Sequence, residues 1–216
     1  MAGNKTVFFL IGVLLIVLGL SMLAPYSMQV LYKENSHSFI SSSFVTIFIG
    51  VLFVLANLEK EFKLNLRQTF LFSSLAWFMV AIFGSLPFLL SSQDFSLSEA
   101  FFESMSGITT TGATIINDVE ILPEGILFWR SITHWLGGMG MIVFAIAILP
   151  LLGIGGMQLF NAESPGPSTD KLHPRITDTA KRLWLIYVSY TVIETIFLQF
   201  AGMSFFDAIH HSMSNI

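Results

Sequence analysis

The chain has 216 residues, 54% of them hydrophobic and 11% charged, with a formal net charge of -4 and no cysteine. This mixture excludes an ordinary water-soluble domain, which could not bury so much apolar surface. The absence of cysteine excludes disulfides, thiolate metal sites and cysteine nucleophiles, and leaves the redox compartment undetermined.

The charges are clustered, so residues 6–32, 38–58 and 68–93 carry none, nor do 131–162 apart from His134. Each run exceeds the roughly 20 apolar residues that cross a bilayer's hydrocarbon core. Taken in chain order, the pattern predicts spans near 7–31, 39–58, 68–92, 126–152 and 180–201. The first run is too long for the apolar region of a secretory signal, and no A-x-A-like site follows it, so a retained span is expected.

Lys60, Lys63 and Arg67 lie between the second and third spans, and Lys171, Arg175, Lys181 and Arg182 follow the fourth, the last two at the start of the fifth. Positive loop charge is retained on the cytoplasmic side, so both segments and the N-terminus are expected inside. Residues 94–124 hold Asp94, Glu99, Glu103, Asp118, Glu120 and Glu124 with no Lys or Arg, and are expected to face outward. Between the fourth and fifth spans, Gly153, Gly155, Gly156, Pro165, Gly166, Pro167 and Pro174 punctuate any helix and mark a connector.

A repeat organises the second half. Residues 99–108 align with 207–216 at an offset of 108 residues, Ser104-Met105-Ser106 matching Ser212-Met213-Ser214 letter for letter. The same offset places Arg67 on Arg175 and the third span on the fifth. The short helix expected over 96–105 is too brief to cross a membrane and lies between two spans on one side, so it must enter and return. Non-helical backbone at membrane depth is tolerated only where protein buries it or where it lines a watery cavity. Residues 108–114, Ile-Thr-Thr-Thr-Gly-Ala-Thr, therefore form a candidate pore loop.

Potassium is selected where backbone carbonyls replace its hydration shell. Glycine at 112 permits the dihedrals that such a strand needs, and the hydroxyls of Thr109, Thr110 and Thr111 can tie the strand down or add oxygen ligands. The C-terminal end of the short helix turns partial negative charge toward the loop and favours a cation there. The same letters also fit a polar turn after a helix. Asp118, Glu120 and Glu124 are candidates for raising cation concentration at an outer mouth, or for a solvated surface. For Glu103, a hydrogen bond to the loop and direct ion contact both stand open.

These residues carry a resemblance. Ala100-Phe101-Phe102-Glu103-Ser104 leads into 107–114, then come Gly137-Gly138-Met139-Gly140, Ala147-Ile148-Leu149-Pro150, Gly155-Gly156-Met157-Gln158-Leu159 and Pro165-Gly166-Pro167. With these motifs the chain resembles the Trk family of potassium-uptake membrane subunits over nearly its whole length. The resemblance implies an all-α integral membrane protein: two N-terminal transmembrane helices, then repeated helix, pore-loop, helix units around one permeation path.

On that reading residues 1–67 hold the two leading helices, 68–152 the first repeat, 153–179 a cytoplasmic connector, and 180–216 the start of a second repeat. Thr109, Thr110, Thr111 and Gly112 would supply one quarter of the potassium filter. No cofactor is implied, potassium being the cargo. The implied setting is a bacterial inner membrane. The implied partners are the lipid bilayer, a second copy of the chain and a cytoplasmic nucleotide-binding regulatory subunit docking on the two inner segments, with no nucleic acid.

Ile216 aligns with Ile108, so the sequence at hand holds one such loop. This 216-residue stretch alone is expected not to conduct, and a non-conducting structural or regulatory fragment is the alternative. An intramembrane enzyme is a third reading, and the expectation is that the chain is not one, because no His-Glu-x-x-His, Gly-x-Ser-x-Gly or cysteine is present. Glu194 in the fifth span is read first as a hydrogen bond to a neighbouring helix and His134 as a hydrogen bond between helices. Arg130 is expected to anchor at the interface or pair with an acid such as Glu124, and Gly137, Gly138 and Gly140 to allow close helix packing. His210 and His211, adjacent on a helix, offer poor geometry for shared metal ligation.

Overall fold

In a computed structural model of the protein, residues 4–34, 36–58, 65–119, 121–148 and 172–216 are described. Nine helices and no strands lie among the described residues: α1 (Lys5–Ser21), α2 (Leu23–Leu31), α3 (Ser38–Ala56), α4 (Leu66–Gly84), α5 (Leu86–Leu89), α6 (Leu97–Ile108), α7 (Glu124–Ile148), α8 (Leu172–Phe200) and α9 (Phe205–Asn215). Helices satisfy every backbone group within one segment, which lipid demands. Four stretches among the described residues are long and apolar enough to cross a membrane: Lys5–Leu31, Ser38–Ala56, Arg67–Leu89 and Asp178–Phe200. The chain is an all-α, multi-pass membrane protein.

Two expected spans are jointed rather than straight. The first breaks at Met22 and the third at Ser85, two to three residues before Pro25 and Pro87. Proline lacks the N–H that would close the ladder, so the preceding turn must bend. Serines next to each break bond back into their own helices, Ser21 Oγ donating to Leu18 O and Ser85 Oγ to Ile82 O. Pro174, assigned above to the connector, instead sits in the first turn of α8, where a missing N–H costs little. The expected fourth span is followed by α7 as far as Ile148, and 149–152 lie outside the described residues, as do Lys60, Lys63 and most of the connector.

The chain divides into two compact units, residues 1–135 and 136–216. In the first, α1 and α3 approach until their backbones nearly touch: a Cβ on Gly12 would lie 2.7 Å from Gly50 O. Ser43 Oγ donates to Gly19 O at 2.7 Å across the same contact. Small residues are what allow such approach where lipid offers no hydrophobic drive between helices. The core of this unit gathers Phe39, Phe88, Ile126 and Trp129, all at most 1% exposed. Trp129 on α7 donates its indole N–H to Gly84 O at 2.9 Å and meets Phe39 edge-on, locking α7 against α3 and α4. That lock fixes the two walls between which α6 is held.

In the second unit α9 packs on α8, and Gly138 on α7 faces Tyr187 on α8, whose Oη lies 2.7 Å from where a Cβ would stand. The close-packing role expected of the α7 glycines therefore holds at Gly138, while a Cβ on Gly140 would meet nothing within 4 Å.

Candidate functional site

The helix expected over 96–105 is α6, which starts one residue later and runs on to Ile108. Ser96 caps it by accepting from Glu99 N–H, and Glu99 returns the bond to Ser96 N–H at 2.8 Å. The Ser96 hydroxyl, donating to Glu99 Oε2 at 2.7 Å, and the Ser96 N–H beside it hold the exposed Glu99 carboxyl below the usual carboxylate range. Ala100, Glu103, Ser104, Ser106, Gly107 and Ile108 are buried, so the helix presents one whole face to its neighbours. A Cβ on Gly107 would run into Thr133 Oγ1 of α7, and one on Gly84 of α4 would lie 2.6 Å from Ser104 Oγ. Only glycine at these points lets α6 sit this deep.

Beyond α6 the chain closes in a Schellman motif, Thr111 N–H bonding Ser106 O and Thr110 N–H bonding Gly107 O. The residue in the left-handed position of that motif is Thr110, with φ 55°. Glycine normally stands there, and a β-branched side chain at such φ is a true outlier costing about 1–3 kcal/mol. Gly112 follows at φ 72°, so the backbone is left-handed on both sides of Thr111.

Side chains hold this shape. Thr109 Oγ1 donates to Met105 O and lies 2.8 Å from Thr111 Oγ1, and Ser106 Oγ donates to Ala113 O at 2.6 Å. Thr109, Thr110, Thr111 and Gly112 are all exposed. No hydrogen bond among the described residues ends on the carbonyls of Thr110, Thr111 or Gly112. The Thr109 and Thr111 hydroxyls are consumed in shaping the loop, and among the described residues the three carbonyls are left without donors.

Glu103 is the brace. Only 3% exposed, it accepts at Oε1 from Thr114 Oγ1 (2.7 Å) and Ile115 N–H (2.8 Å), and at Oε2 it pairs with Arg130 Nε at 3.2 Å. The question left open for Glu103 resolves toward holding the loop. Arg130 accordingly pairs across the fold with Glu103 rather than with its near neighbour in sequence, Glu124. Hydrogen bonds to a charged group contribute about 1.5–3 kcal/mol each, so three on one carboxylate outweigh the strain at Thr110.

His134 is one α7 turn along from Arg130 and bonds its own helix, Nδ1 lying 2.9 Å from Arg130 O, rather than bridging two helices. A carbonyl only accepts, so Nδ1 carries the proton in this bond. Its other nitrogen faces the loop, 4.0 Å from where a Cβ on Gly112 would be. Asp118 is exposed, and Glu120 lies outside the described residues. No group of three or more potential metal-ligating side chains occurs among the described residues, and the His210 and His211 rings stack 4.4 Å apart.

The offset of 108 residues recurs in structure. Ser204 caps α9 as Ser96 caps α6, Ala208 is fully buried as Ala100 is, and Ser212, like Ser104, is buried at the helix contact. Ser212 Oγ donates to Thr191 O of α8 at 2.7 Å. Glu194, in the last two turns of α8, accepts from the Asn215 side chain at 3.0 Å, the helix-to-helix hydrogen bond expected of it.

Residues 35–216 match the family of TrkH cation transport proteins. The chain belongs to the TrkH family. It is 45% identical over 215 residues to the Trk system potassium uptake protein TrkH of Vibrio parahaemolyticus, and 45% over 210 residues to TrkH of Escherichia coli K12. To TrkG of E. coli K12 it is 38% identical over 215 residues. These alignments take in 98%, 96% and 98% of this chain and 44% of each relative. The chain thus spans under half the length of the relatives it matches.

The crystal structure of the potassium transporter TrkH from V. parahaemolyticus superimposes with a TM-score of 0.84 at 41% identity, covering 97% of this chain and 42% of that one. These relatives are transporters by name, not enzymes. Within this TrkH-family chain, sequence reasoning located Thr109, Thr110, Thr111 and Gly112 but missed that Glu103, Thr114 and Arg130 form one network. A partial signal existed: Arg130 is the first Lys or Arg after Arg67 and follows a segment whose charges are all acidic.

Proposed function

We propose that the protein is the potassium-conducting membrane subunit of a Trk-type uptake system, and that residues 109–112 form one of four filter segments. What carries the reading is the row of donorless carbonyls at Thr110, Thr111 and Gly112, held by Glu103 at the end of a buried short helix in a TrkH-family chain. A dehydrated cation needs such oxygens, and the α6 dipole places partial negative charge beside them. Residues 68–152 then form one repeat and 180–216 the start of the next, after two leading helices in 1–67, with 153–179 as connector. The excess of Lys and Arg in the inner segments supports a cytoplasmic N-terminus in the inner membrane.

No cofactor enters: potassium is the cargo. By family likeness the working unit is a homodimer with a cytoplasmic nucleotide-binding subunit on its inner face. One loop supplies a quarter of the ligands, so residues 1–216 expressed alone carry no potassium. The reading is tested by Gly112→Asp in the full-length protein, expressed in a strain lacking potassium uptake. Growth at low potassium is expected to disappear while the protein still reaches the membrane. Unchanged uptake would remove residues 109–112 from the pathway.

A further inference from the structure

The loop is braced unevenly. Its start is closed by the Schellman bonds, and its end is tied by Ser106 to Ala113 O and by Glu103 to Thr114 and Ile115. Between these ties stands Gly112, which makes no hydrogen bond among the described residues. Glycine has the widest backbone freedom of any residue, so Gly112, at φ 72°, is where the loop shifts most easily. Only a contact from outside the loop can fix it.

One side chain reaches it. Among the described residues, the one atom beyond its chain neighbours within 4 Å of where a Cβ on Gly112 would stand is His134 Nε2, at 4.0 Å. The same half-buried ring lies against the last turn of α6, with Nδ1 3.7 Å from where a Cβ on Gly107 would be. Its orientation is set from behind. Nδ1–H donates to Arg130 O at 2.9 Å, and that carbonyl also accepts Thr133 Oγ1 at 2.7 Å, while the Arg130 side chain holds Glu103. A ring fixed at one nitrogen presents the other at a defined place, so the imidazole is a plate wedged between the helix end and the loop. In the uncharged ring with its proton on Nδ1, Nε2 keeps a lone pair. The negative end of the ring's dipole then faces the loop, the sign that suits a passing cation.

We propose that His134 is a positioning residue of the filter loop: its ring holds the Gly112 backbone where the neighbouring carbonyls favour potassium over sodium. The inference depends on residues 109–112 being a filter segment. The two ring nitrogens allow its parts to be separated. Asparagine places an amide N–H near the Nδ1 position and stops short of Nε2, whereas glutamine reaches the Nε2 position.

His134→Asn and His134→Gln are compared in the full-length protein, in a strain lacking potassium uptake, by rubidium uptake, sodium uptake and thermal midpoint. The rubidium-to-sodium ratio is expected to fall about tenfold in His134→Asn and to recover most of that fall in His134→Gln. A side chain that merely packed α7 would lower both uptakes and the midpoint without moving the ratio. An unchanged ratio in His134→Asn, whether uptake is full or reduced for both ions alike, therefore overturns the inference, as does an equal fall in the two variants. If His134→Asn does not reach the membrane, His134→Ala, which also ends short of the loop, is read in its place. The two failures are distinguishable: unchanged uptake in Gly112→Asp removes the filter itself, whereas an inactive Gly112→Asp beside an unaltered ratio in His134→Asn removes only the role of His134.

Discussion

The α4–α6 and α8–α9 segments solve one packing problem with the same backbone and different side chains. In both, a serine caps a short helix, an alanine is buried in its first turns, and a serine meets the long helix. The acids differ. In the first, Glu103 sits on the short helix and reaches forward to Thr114 and Ile115, while in the second, Glu194 sits on the long helix and reaches Asn215. At the offset of 108, Glu103 corresponds to His211 and Gly107 to Asn215. Caps and small contacts act locally and are copied with the sequence, whereas a brace depends on what lies opposite, so each repeat must find its own.

Exchanging residues between the two segments breaks the comparison where it matters most. Glu103→Ala leaves Arg130, Thr114 Oγ1 and Ile115 N–H without their acceptor, and is expected to cost about 3–5 kcal/mol. A large fall in thermal midpoint would show it. Glu103→Gln keeps an oxygen for Thr114 and Ile115 and should recover part of the loss. Equal loss in both would mean that the ion pair, not the loop, carries the stability.

Gly107→Asn, which copies the residue at 215, forces a side chain into Thr133 and is expected to cost about 1–3 kcal/mol. A stable Gly107→Asn protein with normal uptake would show that the depth of α6 is not set at this contact.

A smaller effect separates strain from support. The Schellman motif ending α8 has Gly202 in its left-handed position, φ 102°, where the one ending α6 has Thr110. Thr110→Gly relieves the β-branched strain but adds freedom to the unfolded chain, so stability should change by about 0–1 kcal/mol. Uptake or ion selectivity should fall because the Thr110 position is no longer fixed. Full function in Thr110→Gly would make the threonine incidental.

Span positions, the short helix and the Thr-Thr-Thr-Gly loop were legible because charge-free length and internal repetition are properties of the sequence itself. The Schellman closure was half legible: Gly112 announces a left-handed backbone, whereas Thr110 adopts one only because bonds around it enforce it. Arg130 shows the limit. Its partner is 27 residues away, and nearness in sequence favoured Glu124, whereas the fold set by Trp129 and Gly84 aims it at Glu103.

The caps give a comparably small effect. Ser96→Ala and Ser204→Ala each remove a side-chain acceptor from a helix N-terminus, and each should cost about 1 kcal/mol. The Ser96 cap carries a pH signature as well. The bonds from Ser96 hold the Glu99 carboxyl below its ordinary range, so the folded state binds this proton less readily than the unfolded chain. The associated stabilisation is present above the ordinary carboxylate range and fades as pH falls through the lowered value. Midpoints measured from neutral to acid pH should therefore draw closer for Ser96→Ala and the unsubstituted protein, leaving at acid pH only the contribution of the bond from Glu99 N–H. A gap that stays constant with pH would show that the serine acts through Glu99 N–H alone.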